Sequence, residues 1–289
     1  MTQEDIVRNI VANTARSIKD IADETGILTP NIRRILGVGT KTGTFFRLER
    51  GVYILNKNGN DVAVVHTADA VTKLPELAAA GVKVNMVILD PPYTTPAIVG
   101  RNRPQKFKTI TPEQFSAVTN AIAQMIADDD SPVYYICSTA PYGAREMEKY
   151  TVQIYNAGFK LVAVGRYVKL QKDGTSRALN PKGKPTSPEA VMLFTKSGYF
   201  AEKDMPRKLT FHLVRPPVTG KYGRQTKKPD EMIRSFVLQG SLKGQTVCDP
   251  FAGTGGTLIQ AVRHGRRALG IEIDDITMRQ FIIAGLMES

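Results

Sequence analysis

Apolar residues recur along this chain in two rhythms, and the change between them divides it. Over the first part the spacing is that of short amphipathic helices. Ile6, Ile10 and Val11 fall at helical intervals between Asp5 and Ala15. A second run, Ser17 to Thr25, sets Ile18, Ile21 and Ala22 on one face, with Ser17 placed to cap it and Gly26 to break it. Thr29 and Pro30 then open a third helix that Gly37 and Gly39 end, because Thr suits the N-cap and Pro the first helical position. Residues 44–55 read as two short strands around a turn at Glu49, Arg50 and Gly51.

Past Asn60 the pattern changes to strands alternating with helices. The strands expected are Val62–His66, Val84–Leu89, Val133–Cys137, Lys160–Val168, Ala190–Phe194, Thr246–Cys248 and Ala268–Ile271. Helical runs lie between several of them, such as Pro112–Ala127 and Glu146–Ala157. This alternation predicts an α/β fold, a largely parallel sheet with helices on its faces. Two domains are therefore expected, a small module over residues 1–57 and a larger one over 58–289.

The order of the small module is helix, helix, glycine turn, helix, hairpin, which resembles a winged helix-turn-helix. In a DNA-binding version the helix over residues 29–36 enters the major groove. Asn31, Arg33 and Arg34 then face bases or phosphates, and Arg50 at the hairpin tip meets the backbone.

Charge adds a partner to this picture. The chain has 289 residues and a formal net charge of +12. From Leu161 to Lys228 there are 15 basic residues against 4 acidic ones. Arg101, Arg103, Lys106 and Lys108 form a second basic run with no acid inside it. Clustered positive charge suits a polyanion, because neutralising phosphates releases counterions. The expectation is a nucleic-acid partner, met by basic loops at about residues 94–112 and 170–187. No apolar stretch is long enough for a membrane span and the charged start lacks a secretory pattern, so a cytoplasmic protein without membrane contact is expected. Cys137 and Cys248 sit in apolar runs, as reduced core cysteines do. Neither has ligand spacing to His66, His212 or His264, so no metal site is expected.

Two motifs carry the chemistry. Near the C-terminal end, Thr246-Val-Cys-Asp-Pro-Phe-Ala-Gly-Thr-Gly-Gly-Thr257 runs from a strand through a glycine loop into a helix, and the following strand carries Glu272. Glycines let a backbone approach a nucleoside closely, and an acid about 20 residues on takes ribose hydroxyls. Only 17 residues follow Glu272, too few for the remaining strands. Those strands must come from earlier sequence, so the order of the fold is permuted. The second motif is Met86-Val-Ile-Leu-Asp-Pro-Pro-Tyr93. Pro91 and Pro92 hold an extended backbone and remove two N–H donors, leaving carbonyls and the Asp90 carboxylate as acceptors at a strand end. Such a site fits an –NH2 group, and Tyr93 offers a flat face for a base.

On these motifs the chain resembles the amino-methyltransferases of DNA, the N6-adenine and N4-cytosine family. In them Asp-Pro-Pro-Tyr is catalytic and Phe-x-Gly-x-Gly binds S-adenosylmethionine. The resemblance implies a class I, Rossmann-like doubly wound fold with the permuted β-class motif order. It implies catalytic roles for Asp90, Pro91, Pro92 and Tyr93, and a cofactor pocket from Asp249, Pro250, Phe251, Ala252, Gly253, Thr254, Gly255 and Glu272. Asp69 resembles the family's acid at the cofactor adenine, and Lys228-Pro229 its Thr-x-Lys-Pro segment, which helps bind the cofactor. Tyr167 and Lys169 resemble its aromatic-x-Lys element at the base pocket, where a tryptophan is usual and this chain has none. A leading Asp in the catalytic motif leans to adenine, so N6-adenine methylation is expected, with N4-cytosine as the alternative. An RNA or protein-glutamine methyltransferase and a winged-helix regulator on a silent scaffold stand further off. Relatives of this class often pair, which implies a homodimer.

Overall fold

The computed structural model describes residues 44–49, 52–57, 60–92, 109–138, 143–170, 174–175, 188–214 and 227–274. The three helices expected before residue 40, with Asn31, Arg33 and Arg34, lie outside the described residues, as do Arg50, Tyr93, Arg101, Arg103, Lys106 and Lys108.

The strands are β1 (Thr44–Glu49), β2 (Val52–Lys57), β3 (Asn60–Thr67), β4 (Met86–Leu89), β5 (Val133–Ser138), β6 (Lys160–Leu170), β7 (Glu189–Thr195), β8 (Phe211–Val214), β9 (Thr246–Asp249) and β10 (Arg267–Glu272). The helices are α1 (Ala70–Ala79), α2 (Pro112–Met125), α3 (Gly143–Asn156), α4 (Asp230–Gly240) and α5 (Gly256–Arg263). All strands join one sheet in the order β1-β2-β3-β10-β9-β4-β5-β7-β6-β8. Its centre, β3-β10-β9-β4-β5, is parallel throughout. β7 runs antiparallel to both β5 and β6.

This order shows the permutation. The last two described strands, β9 and β10, lie between the early strands β3 and β4. From β9 the chain passes through α5 to β10 on one side, and from β4 through α2 to β5 on the other. The direction of travel reverses between β9 and β4, and a doubly wound sheet opens its ligand crevice at the carboxyl ends of such a pair. Asp90 follows β4 and Asp249 ends β9, with Met86 opposite Val247 and Val87 opposite Cys248.

Period-two alternation sorts the side chains into two cores. Met86, Ile88, Tyr134, Ile136, Val191, Leu193 and Val247 face one way, against Met232, Ile233, Phe236 and Val237 of α4 and Leu258 and Ala261 of α5. Val87, Leu89, Val133, Tyr135, Cys137, Cys248, Leu269 and Ile271 face the other way, against α1, α2 and α3. With both faces covered, every residue of β4 is buried. That explains its unbroken apolar run, which a half-exposed strand would not carry. Local signals fix the helix starts. Thr111 and Gln114 form a capping box ahead of Pro112 on α2. Asp69 caps α1, accepting from the Val71 N–H at 3.0 Å.

The hairpin expected as a wing pairs with the strand that follows it. β2 pairs antiparallel with β3 through Val52 opposite His66, Tyr53 opposite Val65 and Ile54 opposite Val64. The domain boundary placed after residue 57 therefore falls between two paired strands, and the hairpin extends the sheet of the larger domain. Among the described residues, no helix is long and apolar enough to cross a membrane.

Candidate active site

The crevice has a glycine-loop side and a carboxylate side. On the first, Asp249 is buried, and its Oδ1 accepts from the Phe251 N–H at 3.0 Å. Burial pushes its carboxyl up to about 7, opposed by hydrogen bonds from Thr257 and the Phe251 N–H and reinforced by the charges of Asp90 and Glu272. The loop from Pro250 to Gly255 then turns back on β10, where the Ala252 N–H donates to the Ile271 carbonyl at 3.0 Å. Gly253 and Gly255 have φ of 56° and 79°, backbone that side-chain-bearing residues rarely adopt.

Glu272, at the end of β10, is buried and accepts from the Gly253 N–H at 2.8 Å and the Asp274 N–H at 3.0 Å. Asp69 lies on the same edge, two residues after Thr67, which pairs with Glu272. Among the described residues, a Cβ on Gly253 would meet only the Phe251 carbonyl oxygen, at 3.8 Å, and one on Gly256 would meet nothing within 4 Å. Acids at two strand ends and a glycine backbone with open space beside it fit a nucleoside cofactor carrying ribose hydroxyls.

On the second side, Asp90 is held by a run of alternating charges. Its Oδ2 lies 2.9 Å from Lys228 Nζ. The same ammonium lies 3.0 Å from Glu189 Oε2, and Glu189 Oε1 lies 2.6 Å from Lys169 Nζ. Burial raises the Asp90 carboxyl above the usual carboxylate range, with Lys228 pulling it back. Burial also works against charge on Lys228, but Asp90 and Glu189 outweigh it and hold the ammonium above the usual lysine range. Glu189 is likewise penalised by burial, yet Lys228 and Lys169 hold it down at about 2. The Pro92 carbonyl is engaged, accepting from the Ile110 N–H at 2.9 Å. Among the described residues nothing donates to the Pro91 carbonyl.

The structure places three further expected residues. Lys228 reaches Asp90 and Glu189, so its ammonium belongs to the carboxylate side of the crevice. Pro229 starts α4, its carbonyl accepting from the Met232 and Ile233 N–H groups, and thereby fixes where Lys228 enters. Tyr167 is 1% exposed and packs in the core, so it presents no open ring face; Lys169 Nζ stands 5.8 Å from its centroid. The residue that sequence reasoning missed is Glu189, opposite Tyr167 in the β6–β7 register. An acid at the head of an apolar strand gives no sign of the two lysines it joins.

The fold is a doubly wound α/β sheet whose switch point brings Asp90 beside the glycine loop after β9. The N6_N4_Mtase family of DNA methylases matches residues 84–282, over two-thirds of the chain, and the protein belongs to that family. Among curated proteins it is similar to YubD of Escherichia coli (strain K12), a methylase by name, at 26% identity over 208 residues, covering 67% of this chain and 78% of that one. Among solved structures it resembles M1.HpyAVI in complex with S-adenosylmethionine, with a TM-score of 0.58 and 19% identity over 78% of this chain and 98% of the other. It also resembles the cytosine-N4-specific PvuII DNA methyltransferase, with a TM-score of 0.57 and 12% identity over 78% and 85%.

Proposed function

We propose that this methyltransferase moves a methyl group from S-adenosylmethionine to the exocyclic N6 amine of adenine in DNA. The observation that carries the reading is Asp90. It is an acid held by a half-buried ammonium at the carboxyl end of β4, beside the glycine loop that follows β9. Family resemblance associates an acid at this place with adenine.

S-adenosylmethionine supplies an electrophilic methyl group on a sulfonium. The Gly253–Gly255 backbone, Glu272, Asp249 and Asp69 would hold it, Glu272 and the loop being bonded to each other. The target amine starts inside a base stack, so the nucleotide flips out. Tyr93 stacks on the flipped base. Asp90 and the Pro91 carbonyl accept the two amine hydrogens, which aims the nitrogen lone pair at the methyl carbon. Most of the acceleration is then orientation and a fixed electrostatic environment. A neutral base amine is a very weak acid, so its proton leaves during or after transfer, with Asp90 as its acceptor. The basic stretches around residues 101–108 and 161–228, with the N-terminal module, supply phosphate contacts.

The test is transfer to mixed-sequence unmethylated DNA, followed by digestion and mass spectrometry of the nucleosides, with Asp90→Ala and an RNA substrate alongside. N6-methyldeoxyadenosine that vanishes in the variant supports the reading. N4-methyldeoxycytidine instead, or methyl on RNA alone, overturns it.

A further inference from the structure

The Asp90–Lys228–Glu189–Lys169 run is more elaborate than an acceptor site needs. A lone ammonium on Asp90 would fix the carboxylate's orientation but also draw off the negative charge that the target amine uses. Lys228 does not belong to Asp90 alone, since its Nζ stands 2.9 Å from Asp90 and 3.0 Å from Glu189. Glu189 is kept in place from behind by Lys169, at 2.6 Å. The four side chains come from four separate places: the end of β4, the approach to α4, the start of β7 and the body of β6. The two acids and two bases cancel, so the run adds no net charge to the crevice.

We infer that Glu189 is a positioning residue for methyl transfer: it shares the Lys228 ammonium with Asp90, so that Lys228 orients Asp90 without neutralising it. This rests on the reading above only in giving Asp90 the amine. With Glu189 present, Lys228 fixes Oδ2 and the remaining oxygen, Oδ1, keeps its strength as an acceptor. Without that second acid, Lys228 settles wholly on Asp90 and weakens it for the amine and for the proton that follows. Groups facing Asp90 from the packed elements are Lys228, Glu189, Lys169, Asp249 on β9 and Cys137 on β5. Lys228 and Lys169 favour its charged form, while Glu189 and Asp249 oppose it. Burial pushes the Cys137 thiol up to about 12, so it stays neutral over the working range.

The signs of the test follow. Glu189→Gln removes a negative charge and hands Lys228 to Asp90, so the Asp90 titration midpoint falls, by about one pH unit. Lys169→Met frees Glu189 to take more of Lys228, so the midpoint rises. Glu189→Asp keeps the charge and leaves the midpoint near that of the unchanged protein. The midpoint is read by 13C NMR of the aspartate carboxyls, with Asp90 assigned by its disappearance in Asp90→Asn. This needs neither DNA nor turnover, and Lys169→Met serves if Glu189→Gln does not fold. In parallel, kcat for DNA methylation falls about tenfold in Glu189→Gln, and the acidic limb of its pH profile moves down with the midpoint. Glu189→Asp restores most of that loss. A midpoint unmoved by Glu189→Gln, or moved down by Lys169→Met, overturns the inference. An unchanged protein that transfers nothing to adenine sinks the functional reading instead and leaves the NMR result to decide this one.

Discussion

The Gly253 N–H donates to Glu272 Oε2 at 2.8 Å, joining the glycine loop after β9 to the last residue of β10. The loop's shape and the acid's position are thus one feature. Glu272 holds the loop through one oxygen and the turn at Asp274 through the other.

Glu272→Ala should weaken S-adenosylmethionine binding by about 10- to 100-fold, the loss expected for hydrogen bonds to a charged group. The amides of Gly253 and Asp274 should also exchange faster with solvent in the free protein, since each loses its acceptor. Isothermal calorimetry and hydrogen exchange measure the two effects. An unchanged affinity would remove Glu272 from the pocket.

Gly253 offers a graded version of the same test. Its φ of 56° makes any side chain costly there, by about 1 kcal/mol for Ala, though the space beside it is open. Gly253→Ala should therefore lower the melting temperature slightly and bind the cofactor less well. Gly253→Asp should bind it far less well, because the added carboxylate fills the open space and repels Glu272. Equal affinities in the two variants would show that the space is not used.

Asp90→Ala should abolish methyl transfer and spare cofactor binding. The fold should survive, because Lys228 keeps Glu189 as a partner and its half-buried charge is not left unpaired. Transfer rates with radiolabelled methyl donor and calorimetry on the same preparation check both halves. Activity above a few per cent would refute the role given to Asp90.

Most of the sheet was legible because buried strands and their turns leave local marks. Met86–Leu89 is a short apolar run ending at Asp-Pro-Pro, and Thr246–Asp249 ends at a glycine loop. The strand expected from Val84 begins two residues later, since Val84 makes only an isolated bridge to Ile126. β8 went unread because it is a four-residue edge strand, with two exposed positions, among prolines and basic residues. α1 carries Pro75 inside it, which masks a helix that Asp69 nonetheless starts. The site divides in the same way. The acceptor and glycine motifs are contiguous in sequence and could be read, whereas the pairing of Lys228 with Asp90 and Glu189 is made by folding alone. Tyr167 was legible as an aromatic beside Lys169, but its burial comes from a core assembled by folding, in which it pairs with Phe211 on β8.

Gly270 lies where α5 crosses β10, and a Cβ there would stand 2.4 Å from Leu258 Cδ1. Gly270→Ala should destabilise the protein by about 1–3 kcal/mol, as overpacking does. Leu258→Ala in the same chain should recover part of that loss by clearing the space, although alone it costs stability too. Denaturant melts of both single variants and the double variant measure the coupling. Additive losses would mean that the two side chains do not meet.

Asp249 ties stability to pH with a definite sign. Its folded carboxyl titrates at about 7, raised by burial, while an unfolded aspartate titrates near 4. Below the unfolded value both states hold the proton and nothing is lost. As pH rises from about 4 to about 7 the unfolded state ionises first, so folding becomes progressively less favourable. Above 7 both states are ionised and the cost stays constant, on the order of a few kcal/mol. Asp249→Asn removes this charge and can keep the acceptor for the Phe251 N–H. The variant should therefore melt higher than the unchanged protein at pH 8, with the difference shrinking as pH falls to 5. It should also bind S-adenosylmethionine less tightly if the acid at the end of β9 meets the cofactor, as proposed. Calorimetric melts across that range, paired with cofactor titrations, measure both. A difference independent of pH would show that Asp249 is not the group whose burial is being resisted.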